Sequence, residues 1–150
     1  MIRPFIFTSA VFTIAVCQVF AGADDAKKLQ GTWVVVDLIA YGKKVDPKNY
    51  KGTKFVITKD KVAIVPPNDK IDEFVKRTYN FKINSAKKPA EIDLVGLTGK
   101  TKVTSLGIYE LNGDTLRWCQ SDATKASARP TMFTSPEKSG IYLFTLKRGK

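Results

Sequence analysis

With 150 residues, no histidine and a formal net charge of +11, the chain has room for one domain and lacks the side chain behind Ser-His and Cys-His nucleophiles and most transition-metal sites. Its cysteines, Cys17 and Cys119, are too few for a zinc set. No Gly-rich phosphate loop or dinucleotide fingerprint is present, so no cofactor and no metal is expected.

The first segment does not read as part of a domain. Met1–Arg3 is positive, Pro4 to Val16 is almost wholly apolar, and the small residues Ala21, Gly22 and Ala23 precede Asp24 and Asp25. That is the layout of a secretory signal peptide, so cleavage is expected near Ala23, with residues 1–23 removed and 24–150 forming the exported domain. The apolar run is shorter than the ~20 residues a spanning helix needs, so no transmembrane helix is expected in the mature protein. A rival cut before Cys17, leaving a lipid-modified cysteine, is poorly served by the preceding Ile14, Ala15 and Val16. Cleavage takes Arg3 and Cys17 with it. One remaining cysteine cannot close an intramolecular disulfide, and a hydrophobic core must hold the fold.

Asp24 to Gln30 reads as a short helix, with acids leading and lysines following as the helix dipole favours, ended by Gly31. Short strands then follow. Thr32 to Ile39 is valine-rich, and Lys54 to Thr58 and Lys61 to Val65 flank a tight turn at Lys59-Asp60. Pro66 and Pro67 lead into a polar loop, Asn68 to Asp72. From Phe74 to Ile83, Val75, Tyr79, Phe81 and Ile83 fall on one face and Lys76, Thr78, Asn80 and Lys82 on the other, the alternation of a half-buried antiparallel strand. Ile92 to Val95 and Thr101 to Leu111 come next. Asn112-Gly113 is a strong hairpin signal, expected to occupy the two central turn positions with positive φ. Thr115 to Gln120 is its partner, the polar loop Ser121 to Arg129 ends at Pro130, and strands at Thr131 to Thr134 and Ile141 to Arg148 complete the set.

About eight or nine short strands at near-regular spacing predict an all-β sandwich or barrel. Their short turns favour a single up-and-down antiparallel barrel. Lysines occur in pairs around turns, such as Lys43-Lys44 and Lys87-Lys88, which reads as solvated loops and protected strand edges. A nucleic-acid partner is not expected. Attraction to an anionic envelope surface is kept as an expectation from net charge.

Gly31-Thr32-Trp33, at the head of the first strand after a short helix, resembles the lipocalin-type Gly-x-Trp start. That resemblance implies that Trp33 closes one end of the barrel under a basic residue of the last strand. Arg148 continues the apolar row Tyr142, Phe144, Leu146 and is the candidate. Over the mature chain the sequence also resembles an uncharacterised lipocalin-like domain family of planctomycete bacteria. The blocks that carry it are Leu29-Gln30-Gly31-Thr32-Trp33, Lys88-Pro89 with Ile92-Asp93-Leu94, Gly107-Ile108-Tyr109-Glu110-Leu111 running into Gly113-Asp114-Thr115-Leu116, Arg129-Pro130-Thr131 with Phe133, and Leu146-Lys147-Arg148. This resemblance implies a fold and no particular activity.

Two functional readings stand. In one, the exported barrel binds a small apolar or amphipathic ligand, with Tyr79, Phe81, Tyr109, Glu110, Trp118 and Phe144 as wall residues. In the other, a filled barrel with a basic exterior serves as a non-catalytic module of the cell envelope. Catalysis is not expected, and its residual candidates are carboxylates that could turn into the barrel, Glu110 on the face of Leu106 and Ile108, and Asp93. Asn68, Asp69, Asp72 and Glu73 match no calcium-loop spacing. Cys119, with no adjacent histidine to lower its pKa, is expected to be a small buried hydrophobe.

Overall fold

The structure, a computed structural model, describes residues 21–67, 77–98, 100–123 and 128–150. The expected signal-peptide core, Cys17, the acidic loop Asn68 to Glu73, the strand start Phe74 to Lys76 and residues 124–127 of the polar loop lie outside the described residues.

A helix, α1 (Ala21–Leu29), leads into β1 (Gly31–Ala40). A two-residue strand β2 (Lys43–Lys44) and a single 3₁₀ turn (Pro47–Asn49) precede β3 (Lys54–Thr58) and β4 (Lys61–Val65). Then come β5 (Arg77–Asn84), β6 (Ala90–Thr98), β7 (Thr101–Asn112), β8 (Thr115–Ser121) and β9 (Ile141–Arg148). Leaving the β2 stub aside, each strand pairs antiparallel with the next in the chain, and β9 pairs back onto β1 from Trp33↔Arg148 to Ala40↔Tyr142. Among the described residues this is a closed eight-stranded up-and-down barrel.

Alternation fixes what each strand sends inward. Phe81 is buried while Thr78, Asn80 and Lys82 are exposed, as a period of two requires. The inward rows include Trp33 and Val35, Phe55 and Ile57, Ile92 and Leu94, and Leu116 and Trp118, all buried in one cluster with Leu29 of α1. A shift in register between Val35 and Asp37 turns β1 by one residue, so that Leu38 rejoins the core and Val36 is left exposed.

The turns depart from expectation in detail. Asn112 pairs with Thr115, so the central turn residues are Gly113 and Asp114, not Asn112 and Gly113. Gly113 takes φ 56° and Asp114 is not in the left-handed region, which fits a two-residue hairpin with glycine first. At the other expected hairpin, Lys59 adopts φ 55°, a conformation costly for a side chain with a Cβ. The Gln30 side chain holds it there, accepting from the Lys59 amide at 2.6 Å and donating to its carbonyl at 3.1 Å.

Thr131 to Thr134 is not a strand. The segment from Arg129 to Ser139 runs irregularly over the outside of the barrel, because β8 and β9 already pair with each other and leave no free ladder for it. It covers a second apolar patch in which Ile108, Cys119 and Leu143 are buried under Phe133. Arg129 anchors it, bonding Asp93 at 2.6 Å and the Gly107 carbonyl at 2.8 Å. Arg117 lies 4.5 Å from the Phe133 ring centre.

Candidate functional site

The barrel interior divides into a packed half and an open half. The packed half sits under α1. Trp33 donates its indole N–H to the Leu29 carbonyl at 2.8 Å, and the Arg148 guanidinium lies 4.2 Å over its ring. Arg148 also donates to the carbonyls of Gln30 and Lys28 at 3.1 and 2.8 Å and to Asp114 at 3.1 Å. One planar fork thus ties the end of the helix and the Gly113 turn to the barrel floor, a geometry a single ammonium cannot match. Gly31, at φ 108°, makes the bend from helix to strand, where a side chain would be strained. Tyr109 is buried with its hydroxyl bonded to Asp25 of α1 at 2.8 Å. Burial, reinforced by that carboxylate, pushes its phenol well above the ordinary value.

Halfway along the barrel, Phe55 meets Trp118 edge-on at 5.5 Å and Phe144 at 5.2 Å. Phe144 carries this ring cluster to the edge of a cavity of about 530 Å³, within the size range of small-molecule sites. Ile64, Tyr79, Leu94, Val103 and Phe144 form its apolar walls. Arg77, Asp122 and Tyr142 also line it, and Tyr142 shares a hydroxyl contact of 2.6 Å with Tyr41.

A polar shelf crosses this cavity. The Trp118 indole N–H donates to Gln120 Oε1 at 2.6 Å, and Gln120 Nε2 donates to Ser105 Oγ at 2.7 Å. Ser105 in turn donates to the Ser121 carbonyl. An indole can only donate, so the direction of the chain is determined from its first member: Gln120 must present its oxygen to Trp118 and its NH₂ to Ser105. Two glycines make the space. A Cβ at Gly107 would come within 2.7 Å of the Cys119 carbonyl and collide with the Gln120 amide. One at Gly96 would come within 2.6 Å of the Tyr79 ring.

Of the residues expected to form the wall, the structure brings Tyr79 and Phe144 to the cavity. Trp118 lies beneath the shelf, and Phe81 and Tyr109 are buried in the interior cluster, away from the cavity lining. Glu110 does not enter the barrel. It is exposed on the outer face, 3.3 Å from Arg117, because Ser105, Gly107 and Tyr109 are the inward row of β7. Leu106 and Ile108 are apolar for a different reason, the outer segment that covers Ile108. Asp93 also faces outward, onto Arg129, and the bond between them raises the Arg129 pKa. Gln120, Ser105 and Ser121 were not anticipated. The signal available for Gln120 was its parity with Leu116 and Trp118.

Cys119 faces the outer patch, its thiol directed at the Thr134 carbonyl at 3.4 Å. Burial pushes it up to about 11, so it is a neutral thiol rather than a nucleophile near neutral pH. Among the described residues no three acidic or cysteine side chains cluster as a metal site would require, and no helix is long and apolar enough to cross a membrane. Comparison of the chain with protein-family models, curated proteins and solved structures gave no match.

Proposed function

We propose that this chain is an exported, lipocalin-like, non-catalytic binding protein that takes a small apolar or amphipathic ligand in the open half of its barrel. The observation that carries this reading is the cavity of about 530 Å³ lined by Tyr79, Leu94, Gln120 and Phe144. A barrel serving only as a scaffold can fill its interior with side chains, as small barrels do, and here, among the described residues, that filling stops short of one end. Apolar walls would supply affinity and the few polar groups orientation. The layout of residues 1–23 supports export, and the Gly31-x-Trp33 start with Arg148 over the indole supports the lipocalin-like assignment.

The test is native mass spectrometry of the protein purified from its own host's exported fraction, with 1-anilinonaphthalene-8-sulfonate added to a stripped sample. A reproducible extra mass lost on denaturation, together with dye fluorescence suppressed by the native adduct, is the expected result. A bare apo mass and no dye binding would overturn the carrier reading and leave the non-catalytic envelope module with its basic surface in its place.

A further inference from the structure

Resting on that reading, we infer that the ligand carries an uncharged oxygen acceptor, such as a ketone, aldehyde or ester carbonyl, on its buried end, and that Gln120 is the residue that selects it. The argument starts from the direction of the shelf. Trp118 fixes the Gln120 amide, one N–H of Nε2 goes to Ser105 Oγ, and the hydroxyl of Ser105 goes to the Ser121 carbonyl. A primary amide has two N–H donors. Among the described residues the second has no acceptor, and Gln120 is buried and lines the cavity. A dry ligand seated on this shelf would leave that donor unpaired, at a cost comparable to a lost hydrogen bond. A ligand with an oxygen at its inner end removes the cost.

Charge decides between acceptors. Arg77 is the one cation among the described residues lining the cavity, and it is exposed at the start of β5. A carboxylate pushed down to the shelf would therefore be buried with a single neutral donor, which is strongly unfavourable. A neutral carbonyl carries no such penalty. The walls around the shelf, Ile64, Leu94, Val103 and Phe144, suit the apolar body behind the carbonyl.

The probes are 1-tetralone and tetralin, which share a bicyclic apolar body and differ by the ketone oxygen. Each is titrated into ¹⁵N-labelled protein, following the Gln120 side-chain amide and the Trp118 indole N–H. Both are expected to shift cavity resonances, with tetralone about tenfold tighter and alone in moving the Gln120 amide pair. Gln120→Glu, which still accepts from Trp118 and, ionised, carries no amide donor, is expected to erase the preference for tetralone over tetralin. If that variant fails to fold, the two wild-type titrations decide alone. Equal affinities with an unmoved Gln120 amide would overturn the inference and leave the carrier reading intact. No binding of either probe would overturn both.

Discussion

Replacing Arg148 by methionine tests how the packed end of the barrel is held. The substitution keeps an unbranched apolar stem over Trp33 and removes the guanidinium. Three contributions are lost: the cation–π contact at 4.2 Å, the pair of bonds to the Lys28 and Gln30 carbonyls, and the Asp114 bond. The first is worth about 1 kcal/mol in a half-buried setting, and the carbonyl bonds about 1 kcal/mol each. The Asp114 side chain is 80% exposed, so its pair adds at most about 0.5 kcal/mol. The expected loss is about 3 kcal/mol, a fall in Tm on the order of 10 °C, read by urea and thermal unfolding with circular dichroism. Arg148→Lys keeps the charge and loses the fork, and should still cost about 2 kcal/mol. Asp114→Asn should cost less than about 0.5 kcal/mol. A lysine variant as stable as wild type would refute the reasoning, because it would mean that charge alone closes the end.

Gly107→Ala should lower stability by about 2–3 kcal/mol and weaken cavity binding, since the new methyl meets the Cys119 carbonyl and the Gln120 amide; unchanged unfolding with unchanged dye affinity would contradict the packing described. Lys59→Gly should instead stabilise by roughly 0.5–1 kcal/mol by relieving the positive φ, measured by the same urea curves, and a loss would show that the Gln30 clamp needs more than the backbone at that turn. The Cys119 thiol should resist 5,5′-dithiobis(2-nitrobenzoate) at pH 8 in the native state and react after denaturation. An unfolded thiol ionises near its ordinary 9.0 and the folded one near about 11, so the unfolded state sheds its proton first. Stability from this group is therefore full below pH 9 and is lost as pH climbs toward 11. A Cys119→Ala variant whose alkaline decline matches wild type would count against it.

Much of the barrel could be read from residue pattern. The β3 and β4 boundaries follow from β-branched runs cut by Lys59-Asp60 and Pro66, and β5 announces its buried face because lysines occupy the other. The reading failed where water does not mark the outer face. On β7 both rows are apolar, one because it faces the core and the other because the 129–139 segment covers Ile108, so period alone assigns Glu110 to the wrong side. Thr131 to Thr134 looks strand-like in composition, yet a strand needs a partner ladder, and that is a property of the closed barrel rather than of the segment. The shelf was hidden for the opposite reason. Gln120 and Ser105 are polar side chains turned inward, and only the spatial meeting of β7 and β8 shows that they satisfy one another, Trp118 and the Ser121 carbonyl.

The β1–β9 pairing differs from every other pair in the barrel. The other partners are consecutive strands, whereas Trp33↔Arg148 and Ala40↔Tyr142 lie more than one hundred residues apart. The chain can meander into a curved open sheet through local contacts alone, and it pays the entropy of joining distant segments once, at this seam. Until the seam forms, β1 and β9 are both free edges with unpaired backbone groups, each complementary to the matching edge of another copy. The same strand pairing that finishes the barrel within one molecule is thus the route by which two incompletely folded molecules would exchange strands. Arg148, whose contacts reach helix, turn and indole only when the seam is in register, would fix the same register in either outcome, so chain concentration decides between them.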